Sequence, residues 1–341
     1  MTRLRNLALG GLAALAITGA ATAAFAEEPG TFQNRLNGAT IGLPLGAAAP
    51  PGLYTGLETA YLGFPATGIG NQAAGDHVYA IAQAVPLLWS TGWTFLGASY
   101  SVSAVIAFYD ANVTAASTFA NNLLGGGNSV AAVLVVANPL WNPIALSWNL
   151  GNGWFVSAGF NFVAPIGTNK SNFTNPDYWT FEPTLAVSYL ANNWVLSANM
   201  FYDINAASKG TCCLPQAAGV PFGGVGYVGG DAFYADLTAV YKVGKWQFGP
   251  VGYIEAQTTT DRPGGGLTCA AVAADPLLAC GKLYTAAVGG LIGYDFGPVD
   301  IQVWVTQNVA KENAIDGLSV WSRIGFRLWA PEAPKPLVAK N

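Results

Sequence analysis

The stretch WTFEPTLAVSYLANNWVLSANMFYDIN, residues 179–205, carries the clearest structural pattern in the chain. Apolar residues alternate with small or polar ones on both sides of the break at Asn192 and Asn193. Because successive side chains of a strand point to opposite faces, this period of two predicts two β-strands joined by a turn. Each run has about ten residues with aromatic side chains towards its ends, as in strands that cross an outer membrane. A hairpin of a soluble β-sandwich would also alternate, so the remaining sequence has to separate the two interpretations.

The composition favours the membrane interpretation. The chain has 341 residues, of which 52 % are hydrophobic and 9 % charged, whereas a soluble domain has about 25 % charged residues. After residue 26 the densest apolar run, at 130–137, is far shorter than the roughly 20 residues of a spanning helix. Since only helices and closed barrels satisfy every backbone group in lipid, the sequence predicts a closed β-barrel.

The first 26 residues read as a cleaved signal peptide. Arg3 and Arg5 precede an apolar run at 7–21, and Ala24-Phe25-Ala26 fits the small-x-small cleavage rule. Removing two arginines and no acids changes the formal net charge from −4 to −6. We therefore expect an exported, mildly acidic mature protein with no nucleic-acid partner.

The mature chain divides into three parts. Residues 27–50 are rich in Gly, Ala and Pro without a period, and we expect a leader that plugs the lumen, lies below it, or has no order. Alternating runs over 51–329 predict an all-β fold, a transmembrane antiparallel up-and-down barrel of about 12 strands, with 10–14 left open. One short turn is predicted at 90–92, and short and long connections alternate as in outer-membrane barrels. Residues 330–341 are a C-terminal tail.

Alternation also predicts which side chains face the lumen. Acids and arginines there either pair and hold the barrel together or line a selective constriction, and both roles are compatible. On the lipid face a basic residue would cost roughly 2–4 kcal/mol at the midplane. The predicted lumen-lining residues are Glu58, Glu182, Asn199, Asp203, Tyr234, Asp236, Tyr253, Glu255, Gln257, Asp300, Gln302, Arg323 and Arg327. Phe201 and Trp304 extend the aromatic part of this lining.

All four cysteines lie in connections rich in Gly, Pro and Ala. Export into an oxidising compartment predicts loop disulfides. A bond between Cys269 and Cys280 is the first interpretation, and cross-loop pairs with Cys212 and Cys213 remain open. The adjacent pair does not fit zinc-ligand spacing, so we predict no metal site.

Residues for catalysis are scarce. His77 is the only histidine, and no Gly-x-Ser-x-Gly elbow accompanies it. The glycine-rich stretches at 151–153 and 264–266 lack the strand, helix and lysine context of a phosphate loop. We therefore predict that the protein is not an enzyme and uses no cofactor.

Several segments together resemble the MetA-pathway of phenol degradation family of outer-membrane proteins. They are residues 50–61, 91–113, 157–169, 178–205 and 249–261, and the most specific contain FEPT through DIN and GYIEAQTTTD. The resemblance implies a β-barrel channel of the bacterial outer membrane, found with catabolism of aromatic or other poorly soluble compounds.

The leading hypothesis is passive uptake of small hydrophobic or aromatic compounds through the barrel lumen. Its partners would be outer-membrane lipid and the solute, and the oligomeric state is not predicted. The alternative is a general diffusion porin, or a structural outer-membrane barrel without a specific substrate.

Overall fold

The computed structural model describes residues 33–65, 77–114, 130–168, 175–206, 227–260, 262–263, 282–312, 314 and 317–331. Across these ranges we find no helix long and apolar enough to cross a membrane. The strands are β1 (Gly52–Pro65), β2 (His77–Phe95), β3 (Ala98–Thr114), β4 (Val130–Val136), β5 (Leu140–Gly151), β6 (Trp154–Val163), β7 (Thr180–Ala191), β8 (Trp194–Asn205), β9 (Tyr227–Val228), β10 (Ala232–Val243), β11 (Trp246–Gln257), β12 (Arg262–Pro263), β13 (Tyr284–Asp295), β14 (Val299–Glu312) and β15 (Leu318–Trp329).

One antiparallel sheet closes into a barrel. Its strands follow chain order, and β1 completes the ring by pairing with both β2 and β15. Both β4 and β5 pair with β3, at different parts of its length, and so share one position in the wall. The wall therefore has twelve positions, which confirms the predicted fold class. Strands β9 and β12 form a separate two-stranded ribbon.

The short connections lie at one end of the barrel, here called the short-turn end. Between β7 and β8, Asn192 and Asn193 have φ values of 53° and 65°, a conformation that suits the right-handed twist of a two-residue hairpin. Asparagine adopts this region more readily than most residues. The polar break at Asn192 and Asn193, between the two alternating runs of residues 179–205, is therefore a turn, as predicted.

The turn predicted at 90–92 is wrong. Strand β2 continues to Phe95, and the chain reverses at Leu96 and Gly97, with φ values of 51° and 76°. Gly92, at φ 77°, lies where the β2–β3 register shifts. A bulge takes up such a residue without ending the strand. Leu96 was missed because leucine is not a turn-forming residue.

The outer wall exposes large apolar side chains. Leu185 is 46 % exposed and Ile292 51 % exposed. Near the short-turn end aromatic rings meet across strands, with centroid distances of 5.0 Å for Trp154–Tyr189 and Trp194–Tyr241, and 4.7 Å for Trp246–Tyr294. Such a surface is unfavourable in water, and it matches the apolar band and aromatic girdle of a barrel in a bilayer.

Candidate functional site

The barrel encloses a length of its own chain. Residues 33–49, here called the lumenal segment, form turns rather than a strand. At the end opposite the short turns, Tyr178 donates to Gln33 at 3.2 Å. At the short-turn end, Ser90 donates to the carbonyl of Ala49 at 2.7 Å. The lumenal segment thus runs through the barrel before entering β1.

An ion pair inside the barrel ties the lumenal segment to β7. Arg35 Nη1 lies 3.1 Å from Oε1 and 3.0 Å from Oε2 of Glu182. Both side chains are almost fully buried, with 7 % and 1 % exposed. Asn161 also donates to this carboxylate, and the guanidinium carbon of Arg35 lies 3.2 Å from the centre of the Phe201 ring. Since water is excluded here, the pairing fixes Arg35 far more firmly than a surface ion pair would.

Asp236 on β10 holds the next turn of the lumenal segment. Its carboxylate accepts hydrogen bonds from the backbone N–H groups of Gly38 and Thr40, at 3.0 and 2.9 Å, and from the Thr40 hydroxyl at 2.6 Å. Asn199 on β8 donates to the carbonyls of Thr40 and Leu43 at 3.0 and 2.9 Å. Bonds to an ionised carboxylate are stronger than neutral ones, so Asp236 is a principal anchor.

Arg323 on β15 anchors the opposite side. Its guanidinium donates to Glu58 at 2.6 Å and to Gln302 at 2.8 Å, both on the wall. It also donates to the backbone carbonyls of Ile41 and Ala39, at 2.7 and 2.6 Å. One buried cation therefore neutralises a wall acid and holds the lumenal segment.

An apolar surface faces the lumenal segment beside Arg323. The rings of Trp304 and Trp321 stack with centroids 5.5 Å apart and planes within 7°. Fully buried Ile41 belongs to the same cluster. At Gly42, with φ +81°, an added Cβ would lie 2.6 Å from Oε1 of Gln302, so only glycine brings the backbone this close.

Eleven of the thirteen residues predicted to line the lumen are buried. Six make hydrogen bonds to the lumenal segment: Glu182, Asn199, Asp236, Glu255, Gln302 and Arg323. The other five are buried on the wall without a hydrogen bond to the lumenal segment among the described contacts: Glu58, Asp203, Tyr234, Tyr253 and Gln257. Asp300 is half-buried and Arg327 is exposed, so neither belongs to this group.

Arg35, Thr40, Ile41 and Trp321 belong to the site but were not singled out from the sequence. Strand periodicity does not extend to the lumenal segment, so it provided no guide to Arg35 or its neighbours. One signal was present: Arg35 is the only lysine or arginine between residues 6 and 169. An isolated cation in an apolar stretch calls for a buried acidic partner.

The predicted disulfide and catalytic candidates fall outside what the structure describes. Cys212, Cys213, Cys269 and Cys280 lie beyond the described residues, so their pairing stays a prediction. The backbone of His77 begins β2, and its side chain is not described. In the described part of the chain, no three His, Cys, Asp or Glu side chains form a group that could hold a metal ion.

Comparison with known proteins identifies a family and a fold. Residues 64–324 match the family model described as "Putative MetA-pathway of phenol degradation". The structure is similar to an outer-membrane channel from Pseudomonas putida F1, with a TM-score of 0.61 and 12 % identity over 82 % of this chain and 96 % of that one. This likeness shows the fold of an outer-membrane barrel.

Two further solved barrels are more distant. The β domain of the Bordetella autotransporter BrkA gives a TM-score of 0.46 and 12 % identity over 81 % of this chain and 99 % of that one. The Ralstonia pickettii toluene transporter TbuX gives a TM-score of 0.39 and 11 % identity over 85 % and 92 %. Curated proteins gave no significant sequence match.

Proposed function

The chain belongs to the MetA-pathway of phenol degradation family, and from this premise we propose that it is a bacterial outer-membrane channel for passive uptake of small hydrophobic or aromatic compounds. Its partners are outer-membrane lipid and the solute, and it carries out no catalysis. The observation behind this proposal is the aromatic and apolar surface inside the barrel, where Trp304 and Trp321 are 0 % and 3 % exposed. A pore for hydrophilic solutes requires a polar, water-filled interior instead.

We assign the lumenal segment the role of a plug. It is held by hydrogen bonds and one described ion pair to wall side chains, and its backbone is not built into the sheet. Neutral hydrogen bonds contribute about 0.5–1.5 kcal/mol each and bonds to charged groups about 1.5–3 kcal/mol. Anchors of this size can release locally while the wall stays intact. Movement of the lumenal segment would uncover the aromatic surface and open a path along it.

A general diffusion porin and a purely structural barrel remain as outcomes of the test. The lumenal segment fills space that a diffusion porin leaves to water, and this favours the narrow hydrophobic path. A structural barrel would have no use for an apolar surface beneath a releasable segment.

Uptake by intact cells tests the proposal. Cells producing the full-length protein are mixed with N-phenyl-1-naphthylamine, a hydrophobic aromatic whose fluorescence rises on reaching membrane interiors. We expect faster uptake than in cells without the protein, and the same acceleration in Lys245→Ala, a change at an exposed turn. Hydrolysis of a hydrophilic β-lactam by a periplasmic enzyme should stay at its background rate, which controls for general leakiness.

Reconstitution into liposomes separates the alternatives. We expect small conductance and little swelling in sugar solutions. Large ohmic conductance with sugar permeation would establish a diffusion porin. Unchanged uptake of the aromatic probe, together with small conductance, would leave only a structural barrel.

A further inference from the structure

A row of buried side chains crosses the inner wall at the level of the stacked indoles. Successive strand neighbours in this row are Leu291, Trp304, Trp321, Ala60 and Ala82. The two tryptophan rings stack on each other with nearly parallel planes, and the guanidinium carbon of Arg323 lies 4.7 Å from the centre of the Trp304 ring. The alanines on the other side of Trp321 are small. The inner wall therefore presents one aromatic face, that of Trp321 turned away from Trp304, next to two small side chains.

This surface carries hydrogen-bond donors that nothing in the described chain satisfies. Nε1 of Trp304, Nε1 of Trp321 and the hydroxyl of Thr306 are buried and make no hydrogen bond to the described chain. Thr306 follows Trp304 by two residues on β14 and so shares its face. Leaving a buried donor unsatisfied costs about 1–3 kcal/mol, so three in one place call for an explanation.

The lumenal segment covers these groups without bonding to them. Ile41 belongs to the buried apolar cluster that contains Trp304 and Trp321, and Leu36 and Ala39 pack against this cluster. Their side chains have no acceptor atoms. The nearby backbone carbonyls of Ala39 and Ile41 accept hydrogen bonds from Arg323. The side chains that the lumenal segment places here are thus apolar, and the indole N–H groups and the Thr306 hydroxyl make no hydrogen bond to them.

We propose that Trp304, Trp321 and Thr306 form a binding site for a planar aromatic solute that carries a hydrogen-bond acceptor such as a carbonyl oxygen, and that Ile41 occupies this site when the lumenal segment is in place. The solute ring stacks on the face of Trp321 turned away from Trp304, and its acceptor receives a bond from an indole N–H or the Thr306 hydroxyl. Solute and lumenal segment then compete for one surface. This inference rests on the proposed function and adds the chemistry that selects the solute.

A matched pair of solutes tests the acceptor requirement. Acetophenone and ethylbenzene are similar in size and differ by a carbonyl in place of a methylene group. Calorimetry on the full-length protein in lipid nanodiscs should show acetophenone binding about fivefold more tightly, the preference expected from one hydrogen bond. Equal affinities for the two solutes would overturn the proposal.

Substitutions test whether the preference for acetophenone over ethylbenzene arises at Thr306 and Trp304. Thr306→Val keeps the side-chain shape and removes an unsatisfied hydroxyl, so the fold is retained. Trp304→Phe removes an indole N–H and keeps an aromatic ring. Each should reduce the ratio of the two affinities and leave ethylbenzene binding nearly unchanged. The matched controls are Thr184→Val, on β7, and Trp194→Phe, on the outer wall, and both should keep the ratio. An unchanged ratio in both site variants would also overturn the proposal.

Hydrogen exchange tests the competition. The amides of Gly38, Thr40 and Gly42 donate to Asp236 and Thr238, so their protection reports whether the lumenal segment is in place. Acetophenone should lower this protection, and Ile41→Ala should bind acetophenone more tightly than the wild type. Bound acetophenone with unchanged protection would refute the competition.

The experiments distinguish failure of the proposed channel function from failure of the proposed binding site. Uptake of N-phenyl-1-naphthylamine without any preference for acetophenone would leave the channel standing and remove this site. A preference that depends on Trp304 in a protein that does not accelerate uptake would establish the site and reject the channel.

Discussion

Arg35 and Glu182 are 147 positions apart in the chain, and Nη1 of Arg35 lies 3.0–3.1 Å from both carboxylate oxygens of Glu182. The pair joins a segment that precedes every strand to the seventh strand, inside the barrel. A buried ion pair adds little to stability compared with a well-packed apolar pair. Removing one partner, however, leaves the other charge buried and unpaired, which costs roughly 3–5 kcal/mol. The pair therefore specifies where the lumenal segment lies more than it adds to the stability of the wall.

Replacing Arg35 with methionine should release the lumenal segment and raise single-channel conductance severalfold. Arg35→Met keeps much of the volume and leaves the Glu182 carboxylate uncompensated, so we expect the free energy of unfolding to fall by roughly 3–5 kcal/mol. Adding Glu182→Gln should recover most of that loss while conductance stays high, because the lumenal segment is still untethered. Lys245→Ala, at an exposed turn, is the control for loss of a basic residue. Wild-type conductance in Arg35→Met would show that this ion pair does not hold the plug.

Asp236→Asn should loosen the turn of the lumenal segment at Gly38 and Thr40 while the barrel stays folded. An amide in place of the carboxylate replaces one acceptor oxygen by a donor and weakens the bonds from Gly38 and Thr40. Loss of roughly 1.5–3 kcal/mol corresponds to about a ten- to hundredfold drop in the exchange protection of these two amides. Hydrogen exchange measures this directly.

Asp300→Asn provides the matched control for Asp236→Asn. Asp300 is a half-buried acid on β14 whose contact, at 3.5 Å, is with Gln247 on the wall. Its replacement should leave the amides of Gly38 and Thr40 protected. Equal loss of protection in the two variants would mean that the lumenal segment responds to total lumen charge and not to the Asp236 anchor.

An arginine on the outer wall should be destabilising only where the wall meets hydrocarbon. Leu185 lies in the middle of β7 and is 46 % exposed, whereas Leu96, in a turn, is 74 % exposed. We expect Leu185→Arg to lower the free energy of unfolding in lipid vesicles by roughly 2–4 kcal/mol. Leu96→Arg should change it little. Equal tolerance of both changes would contradict contact between this part of the wall and lipid.

Local periodicity accounts for what the sequence could predict about Glu182 and Asp236. Both were assigned to the inner face because alternation depends only on neighbouring residues, and both are buried, with 1 % and 2 % exposed. Their partners Arg35 and Thr40 lie 147 and 196 positions away. No local rule relates a turn in an aperiodic stretch to a carboxylate in a distant strand, so the contacts of the lumenal segment could not be predicted.

The turn at Leu96 provides a final prediction, because its sequence and its backbone conformation disagree. Leu96 has φ 51°, in the left-handed region of backbone conformation. This region costs residues other than Gly, Asn and Asp about 1–2 kcal/mol. Leu96→Asn should therefore raise the free energy of unfolding by about 1 kcal/mol, and Trp148 can still donate to the backbone carbonyl of residue 96. The reciprocal change, Asn193→Leu at φ 65°, should lower it by a similar amount. Urea unfolding in lipid vesicles, followed by tryptophan fluorescence, measures both. A loss of stability in Leu96→Asn would mean that the leucine side chain contributes more at this turn than its backbone strain costs.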